Sequence, residues 1–425
     1  MRTVISFLLF ICSVSRLTAQ ELPDQLISTT IHTVKLFPVG NQLTVPVIGL
    51  NSGEQLELHF DDFASGPRNY SYTYLLCNAD WSEAQWSPFD YIKGFQQIRL
   101  NQYRVSSVAQ TPYVHYQAFL PDKNAVPTRS GNYLLKVFAD GDPSKVVFTK
   151  RFYVADQQAS IGVSFMQPFD HQLSRTHQKL QLNVNVPNIK MIIPQQFKAV
   201  IMQNGRWDDA AQLLQPAFIR GNTMEFNAER DAVFPAGKEY RWADLQSFRF
   251  ESDRVERIDR TTVPVNIFIK PDRMRSGLQY LYYRDLNGYN EIRSSEFINP
   301  WWQSDYAEVN FRYFPENGRP LEGKNLYLVG ELTGNQIGDS SLMKFDPLTG
   351  YYSKKLLLKQ GYYSYAYVTR DRNNKAAKSD ASYTEGNYWE TENDYTVFIY
   401  YRSLGGRHDE LLGLTTVKYS SRKLY

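Results

Sequence analysis

The stretch Leu180-Gln181-Leu182-Asn183-Val184-Asn185-Val186 alternates apolar and polar residues without a break. Successive side chains of a strand point to opposite faces, so the pattern sets Leu180, Leu182, Val184 and Val186 on a core and leaves the amides on the other side. The same period returns in Leu56, Leu58 and Phe60, in Tyr70, Tyr72, Tyr74 and Leu76, and in Val263, Val265, Ile267 and Ile269. Turn formers stand between such runs: Asn51-Ser52-Gly53, Gly131-Asn132, Asn204-Gly205, Asn287-Gly288 and Asn317-Gly318. Asn-Gly suits tight hairpins because both residues tolerate positive φ. No amphipathic helix longer than about three turns is visible. The expected fold class is therefore all-β, in tandem immunoglobulin-like β-sandwiches. The 15% aromatic content, carried by Tyr 30 and Phe 25, agrees, since both residues favour strands.

The 425 residues are enough for two or three domains. Three blocks are expected. The first covers 20–155 and ends at Lys150-Arg151-Phe152-Tyr153-Val154, with Ala155-Asp156-Gln157-Gln158-Ala159 as linker. The second covers 156–270 and closes with the strand at Val263–Ile269. Lys270-Pro271-Asp272 then breaks the pattern, because proline cannot extend a ladder, and the third covers 271–425.

Residues 1–19 read as a signal peptide: Arg2, an apolar run from Val4 to Ile11, and the small Ala19 before Gln20. About 11 apolar residues cannot cross a bilayer that needs about 20, so this is no anchor. A lipoprotein reading would use Cys12, but Ile11 is bulky where a small residue is expected. Without the signal, Cys77 is the one remaining cysteine, read as a small buried hydrophobe, with intermolecular pairing as the alternative. No later apolar run is long enough to span a membrane. The expectation is an exported protein, soluble or peripherally bound.

Lys+Arg 47 against Asp+Glu 44 gives +3, and the balance falls to +1 without residues 1–19, which hold Arg2 and Arg16 and no carboxylate. A nearly neutral chain has no electrostatic footprint for nucleic acid. Gly318-Arg319-Pro320-Leu321-Glu322-Gly323-Lys324-Asn325 has P-loop spacing up to the lysine. Asn325 replaces the magnesium-ligating hydroxyl, and an apolar strand pattern follows instead of a helix, so a turn is expected. The six histidines (His32, His59, His115, His171, His177, His408) show no metal-binding spacing. Asp285-Leu286-Asn287-Gly288-Tyr289-Asn290 has a calcium-loop flavour but lacks the third acid and the distal glutamate. Asp61 and Asp62 are adjacent on a strand, face opposite sides, and cannot flank one glycosidic bond. No Gly-x-Ser-x-Gly elbow is present. Neither catalytic residues nor a metal or cofactor site is expected. The aromatics remain: Tyr362-Tyr363-Ser364-Tyr365, Tyr400-Tyr401, and above all Trp301-Trp302, which breaks alternation and is expected to turn at least one ring outward as a partner-binding surface.

Several stretches resemble the plug proteins of the type IX secretion system. They are Ser52-Gly53-Glu54-Gln55-Leu56-Glu57-Leu58-His59-Phe60-Asp61-Asp62, Arg68-Asn69-Tyr70-Ser71-Tyr72, Cys77-Asn78-Ala79-Asp80-Trp81 and Ser130-Gly131-Asn132-Tyr133-Leu134-Leu135-Lys136-Val137. Gln203-Asn204-Gly205-Arg206-Trp207, Gly237-Lys238-Glu239-Tyr240-Arg241 and Glu385-Gly386-Asn387-Tyr388-Trp389-Glu390-Thr391-Glu392-Asn393 continue the series. The resemblance implies a periplasmic, non-enzymatic protein, peripherally associated with the outer membrane. It would dock on the large β-barrel translocon and close its periplasmic opening when no cargo is exported. The family brings no cofactor. The absence of an obvious cargo-type sorting domain in Val417–Tyr425 suits a machine component. The third block also resembles glycogen-binding-type/E-set sandwich modules, through Leu326-Tyr327-Leu328-Val329-Gly330-Glu331-Leu332, Met343-Lys344-Phe345 and Lys359-Gln360-Gly361-Tyr362-Tyr363-Ser364-Tyr365. Gly334-Asn335-Gln336 lacks the aromatic that would stack on sugar, which weakens the alternative of a periplasmic or surface carbohydrate-binding protein. A glycan-processing enzyme is the third and weakest reading.

Overall fold

The computed structural model describes residues 24–189, 193–228, 230–374 and 377–420. The signal peptide expected at 1–19, with Cys12, lies outside them. The fold is all-β: among the described residues, two α-helices of four residues, Pro88–Tyr91 and Pro300–Gln303, and two single 3-10 turns stand among strands and loops.

In the first sandwich, one sheet runs in the order Ile31–Pro38, Leu56–Asp62, Val114–Leu120, Gln102–Val105. The facing sheet runs Val47–Gly49, Val146–Ala155, Gly131–Ala139, Tyr70–Cys77, Ile98–Arg99. Tyr70, Tyr72, Tyr74 and Leu76 all turn inward, packing with Leu56, Leu58, Phe60 and Tyr133. The opposite face of Leu56–Asp62 is covered as well: His59 and Asp61 are buried there, so this sheet is packed on both sides.

The second sandwich corrects the expected boundaries. One sheet holds Ser160–Met166, His177–Asn185, Thr223–Phe226 and Phe218–Arg220. The other runs Arg206–Leu214, Phe197–Gln203, Asn393–Tyr401, Glu410–Tyr419, so its last two strands come from the end of the chain. Ile201 pairs with Val397, and Leu180, Leu182 and Val184 close on Phe197, Tyr395 and Ile399 in one core. The Asn204-Gly205 hairpin forms as expected, with φ of 50° and 67°. The 155–159 linker is pinned down: the N–H groups of Asp156 and Ala159 donate to the carbonyls of Leu411 and Leu412.

The third sandwich is inserted between the two halves of the second. Its strands begin with Arg241–Asp244, Val255–Asp259 and Val265–Ile269, all expected in the second block. Val265–Ile269 lies parallel to Tyr306–Phe314, with Ile267 opposite Val309, and the two share a core with Tyr313 and Tyr365. Val263 precedes this strand and is exposed. Pro271 ends a strand but not a domain, since Asp272–Arg273 pairs with the same neighbour. The crossing points at 237 and 388 are zipped together. Gly237 accepts from the N–H of Tyr388 at 2.9 Å and its own N–H donates to the Asn387 side chain at 2.9 Å.

Truncation after residue 388 is expected to unfold the second sandwich rather than trim the third, because Asn393–Tyr401 is a central strand of its sheet. Loss of cooperative thermal unfolding and protease susceptibility throughout 160–236 would show this. A truncated chain that melts cooperatively would contradict the topology.

Candidate functional site: the seams between the sandwiches

On the strand Leu56–Asp62, Glu57, His59 and Asp61 face away from the first core. On the adjacent strand His115 sits opposite Asp61 and donates Nδ1–H to its Oδ1 at 2.7 Å. The third sandwich covers this face. Tyr306 and Lys359 are neighbours across its paired strands, and both aim at Asp61. Tyr306 Oη donates to Asp61 Oδ2 at 2.5 Å and contacts Thr33 Oγ1, while Lys359 Nζ donates to Asp61 Oδ2 and to the Trp301 carbonyl. Asp61 is 1% and Lys359 0% exposed. Burial pushes the Asp61 carboxyl up, but Lys359 and the His115 N–H outweigh it and hold it below the usual range.

The short helix Pro300–Gln303, capped by the Asn299 side chain at 3.0 Å, presents Trp301 to this cluster. Its ring lies flat on His59, with centroids 3.8 Å apart and planes within 4°. Arg104 lies over Trp302, whose carbonyl accepts from the Ser107 N–H. Both tryptophans are half-buried: Trp301 packs on His59 in the seam between the first and third sandwiches, and Trp302 lies beneath Arg104. The break in alternation that singled them out reflects this helix. Tyr363, Tyr365 and Tyr400 are core residues as well.

His59 joins the cluster through Nδ1 to His115 Nε2 at 3.1 Å and Nε2 to Glu57 at 3.0 Å. Three contacts between two carboxylates and two rings need three protons, and two neutral imidazoles carry two. Burial, which pushes His115 down to about 4 against the pull of Asp61, keeps the third proton out at neutral pH. Farther along, Lys35, 3% exposed, donates to Glu331 and to the Asn290 carbonyl at 2.8 Å.

The seam between the first and second sandwiches is mainly apolar. Trp81, Tyr153 and Cys77 meet Phe398, Tyr400 and Leu411, with Trp207 edge-on to Trp81 at 5.6 Å. Tyr400 Oη donates to Asn132 at 2.8 Å, and Arg402 joins Asp409 to Asn78. Cys77 is 2% exposed and burial pushes its thiol up to about 12, which makes it a packing residue. Between the second and third, Gly205 lies so near Tyr289 that a Cβ there would sit 2.9 Å from the hydroxyl. A buried lattice of Arg241, Arg275, Asp272 and Glu385 fixes the returning chain to the third core. Against the effect of burial, Arg241 and Arg275 hold Glu385 down to about 2.

Other expected features are loops. Gly318–Asn325 joins two strands, with Lys324 opening the second. Asp285 accepts from the N–H groups of Asn287 and Tyr240, and burial raises it to about 7. Among the described residues no group of three or more His, Cys, Asp or Glu is arranged for a metal, and no helix is long and apolar enough to cross a membrane. Asp62 turns into the first core, where Tyr70 Oη donates to it at 2.8 Å, opposite to Asp61 as the strand geometry requires. No local signal in the sequence marks His59 and Asp61 as buried.

Asp61→Asn is expected to cost about 3–5 kcal/mol by urea denaturation, since it leaves Lys359 buried without its countercharge, and Asp61→Asn with Lys359→Met should recover part of that. Trp301→Ala should lower stability by about 3 kcal/mol. An unchanged melting temperature would return Trp301 to the role of a free docking residue. Because the folded pKa of His115 lies below its unfolded value, its contribution is fully present above pH 6.5 and is lost as pH falls towards 4. The loss amounts to about 3 kcal/mol, and His115→Gln should flatten this part of the pH profile.

Residues 31–156, nearly the whole first sandwich, match the family model "Type 9 secretion system plug protein 1st domain". Over the full chain, the crystal structure of a hypothetical protein from Parabacteroides merdae ATCC 43184 is 33% identical, with a TM-score of 0.89, covering 93% of this chain and 98% of that one. No curated protein matches. The chain belongs to the type 9 secretion system plug protein family.

Proposed function

We propose that the chain is a non-enzymatic periplasmic plug that docks on the outer-membrane β-barrel translocon of the type 9 secretion system. It closes the periplasmic opening when no cargo is exported. The observation that carries this reading is mechanical. Each sandwich contacts both others through buried seams, and the third is tethered to the second by two crossing segments instead of one linker. A stopper over a wide aqueous pore must hold its shape, and the one linker between the first and second sandwiches is pinned by its hydrogen bonds to Leu411 and Leu412. Near-neutral charge lets such a body seat against a barrel rim at little desolvation cost.

The His115–Asp61 pair is consistent with the same reading. His115 and Asp61 have the spacing of a general base and its orienting carboxylate. The far nitrogen of His115 faces His59, Trp301 lies against both rings, and both histidines are buried. Where sugar-binding modules place a stacking aromatic, Gln336 instead donates to the Asp24 carbonyl and ties this loop to the first sandwich.

A pull-down from detergent-solubilised outer membrane should recover a large barrel with this chain, through an interface of about 2,000 Å² or more. A strain lacking the chain but keeping the translocon should become permeable to medium-sized solutes. Unchanged permeability, or a purified barrel that does not bind it, would overturn the proposal.

A further inference from the structure

Between the first and third sandwiches lies a cleft of about 500 Å³. Four consecutive residues, His32 to Lys35, line one wall, and five, Lys354 to Leu358, line the other. Alternate side chains of a strand point to opposite faces, so a wall made of consecutive residues means that each strand presents its edge. The ladders agree. Ile31–Pro38 is the terminal strand of its sheet and pairs only with Leu56–Asp62. Tyr351–Lys359 pairs with Tyr306–Phe314 on one side, while Lys344–Asp346 covers its other side only at 351–353. Lys354–Leu358 therefore keeps an open row of backbone donors and acceptors about 17 Å long. The opposite edge is bulged between His32 and Lys35, which makes the Lys354–Leu358 edge the better template.

The charges in the cleft are not balanced. Asp24 is committed to Arg151 and Glu331 to Lys35. Among the described residues, Lys150 and Lys354 make no ion pair within 4 Å; Lys150 acts on the Asp24 carboxylate and Asp339 on Lys354 at longer range, and the Lys354 ammonium donates to the Asp339 carbonyl. Asn290, 6% exposed, also lines the cleft, and its Oδ1 has no hydrogen-bond donor. A buried acceptor without a donor is costly unless a further group supplies one.

We propose that this cleft is a strand-acceptor site. An extended, carboxylate-bearing segment of a partner protein pairs with the edge Lys354–Leu358, sets its acids against Lys150 and Lys354, and offers a donor to Asn290. This is strand addition to an exposed sheet edge, with main-chain bonds giving affinity and flanking charge giving selectivity. It does not depend on the plug reading. Lysines on an edge can instead act only as guards against pairing, in which case the cleft takes no strand.

Hydrogen exchange by mass spectrometry on the full chain separates the two. The probe is a capped hexapeptide of alternating valine and glutamate, with its valine–lysine counterpart and a backbone N-methylated form as controls. The valine–glutamate peptide at millimolar concentration should slow exchange at Lys354–Leu358, and neither control should. Lys150→Glu with Lys354→Glu should weaken binding by about tenfold or more at unchanged melting temperature. No protection by the glutamate peptide, equal protection by the lysine peptide, or protection by the N-methylated form would overturn the proposal.

Discussion

The ion pair between Asp61 and Lys359 joins residues 298 positions apart and lies wholly out of water. Desolvating two such charges costs several kcal/mol per ion, which mutual attraction offsets only when the remaining lone pairs and protons are also satisfied. Here Tyr306, His115 and the Trp301 carbonyl complete them. The arrangement is complete only when the first and third sandwiches sit in one relative position, because a shift of either leaves a charge buried and alone. The pair thus acts less as added stability than as a register mark between two domains. Much of the relative placement of the sandwiches follows from it.

The stretches by which the chain resembles its family lie largely along the seams. Glu57, His59 and Asp61 build the contact of the first sandwich with the third. Asn78, Trp81 and Asn132 build its contact with the second. Asn204, Gly205 and Trp207 stand where all three sandwiches approach one another. Gly237, Arg241, Glu385 and Asn387 tie the crossing segments. A sandwich core accepts many apolar side chains of suitable volume, whereas a polar seam requires particular donors opposite particular acceptors. Seams are therefore where residue identity is most tightly constrained, and they explain why short polar motifs carry the likeness.

The same logic separates what was legible from what was not. Alternation at Tyr70–Leu76 and Leu180–Val186 names inward faces correctly because a strand's two faces are fixed by its backbone. Val265–Ile269 was legible as a strand, but not as a member of the third sandwich, because its partner Tyr306–Phe314 lies beyond a long turn-rich loop. Trp301 and Trp302 were legible as unusual. Their destination was not, because His59 and Arg104, which receive them, are some 200 residues away.

By itself the sequence determined the strands, their buried faces, most turns and the family, all of which depend on residues close together in the chain or on motifs read in order. Only the tertiary structure decided that the last two strands complete the second sandwich, that the third is an insertion, and that a strand's outer face carries a buried ion pair. A charged side chain has the same local pattern whether water or another domain covers it, and that difference exists only once the sandwiches have met.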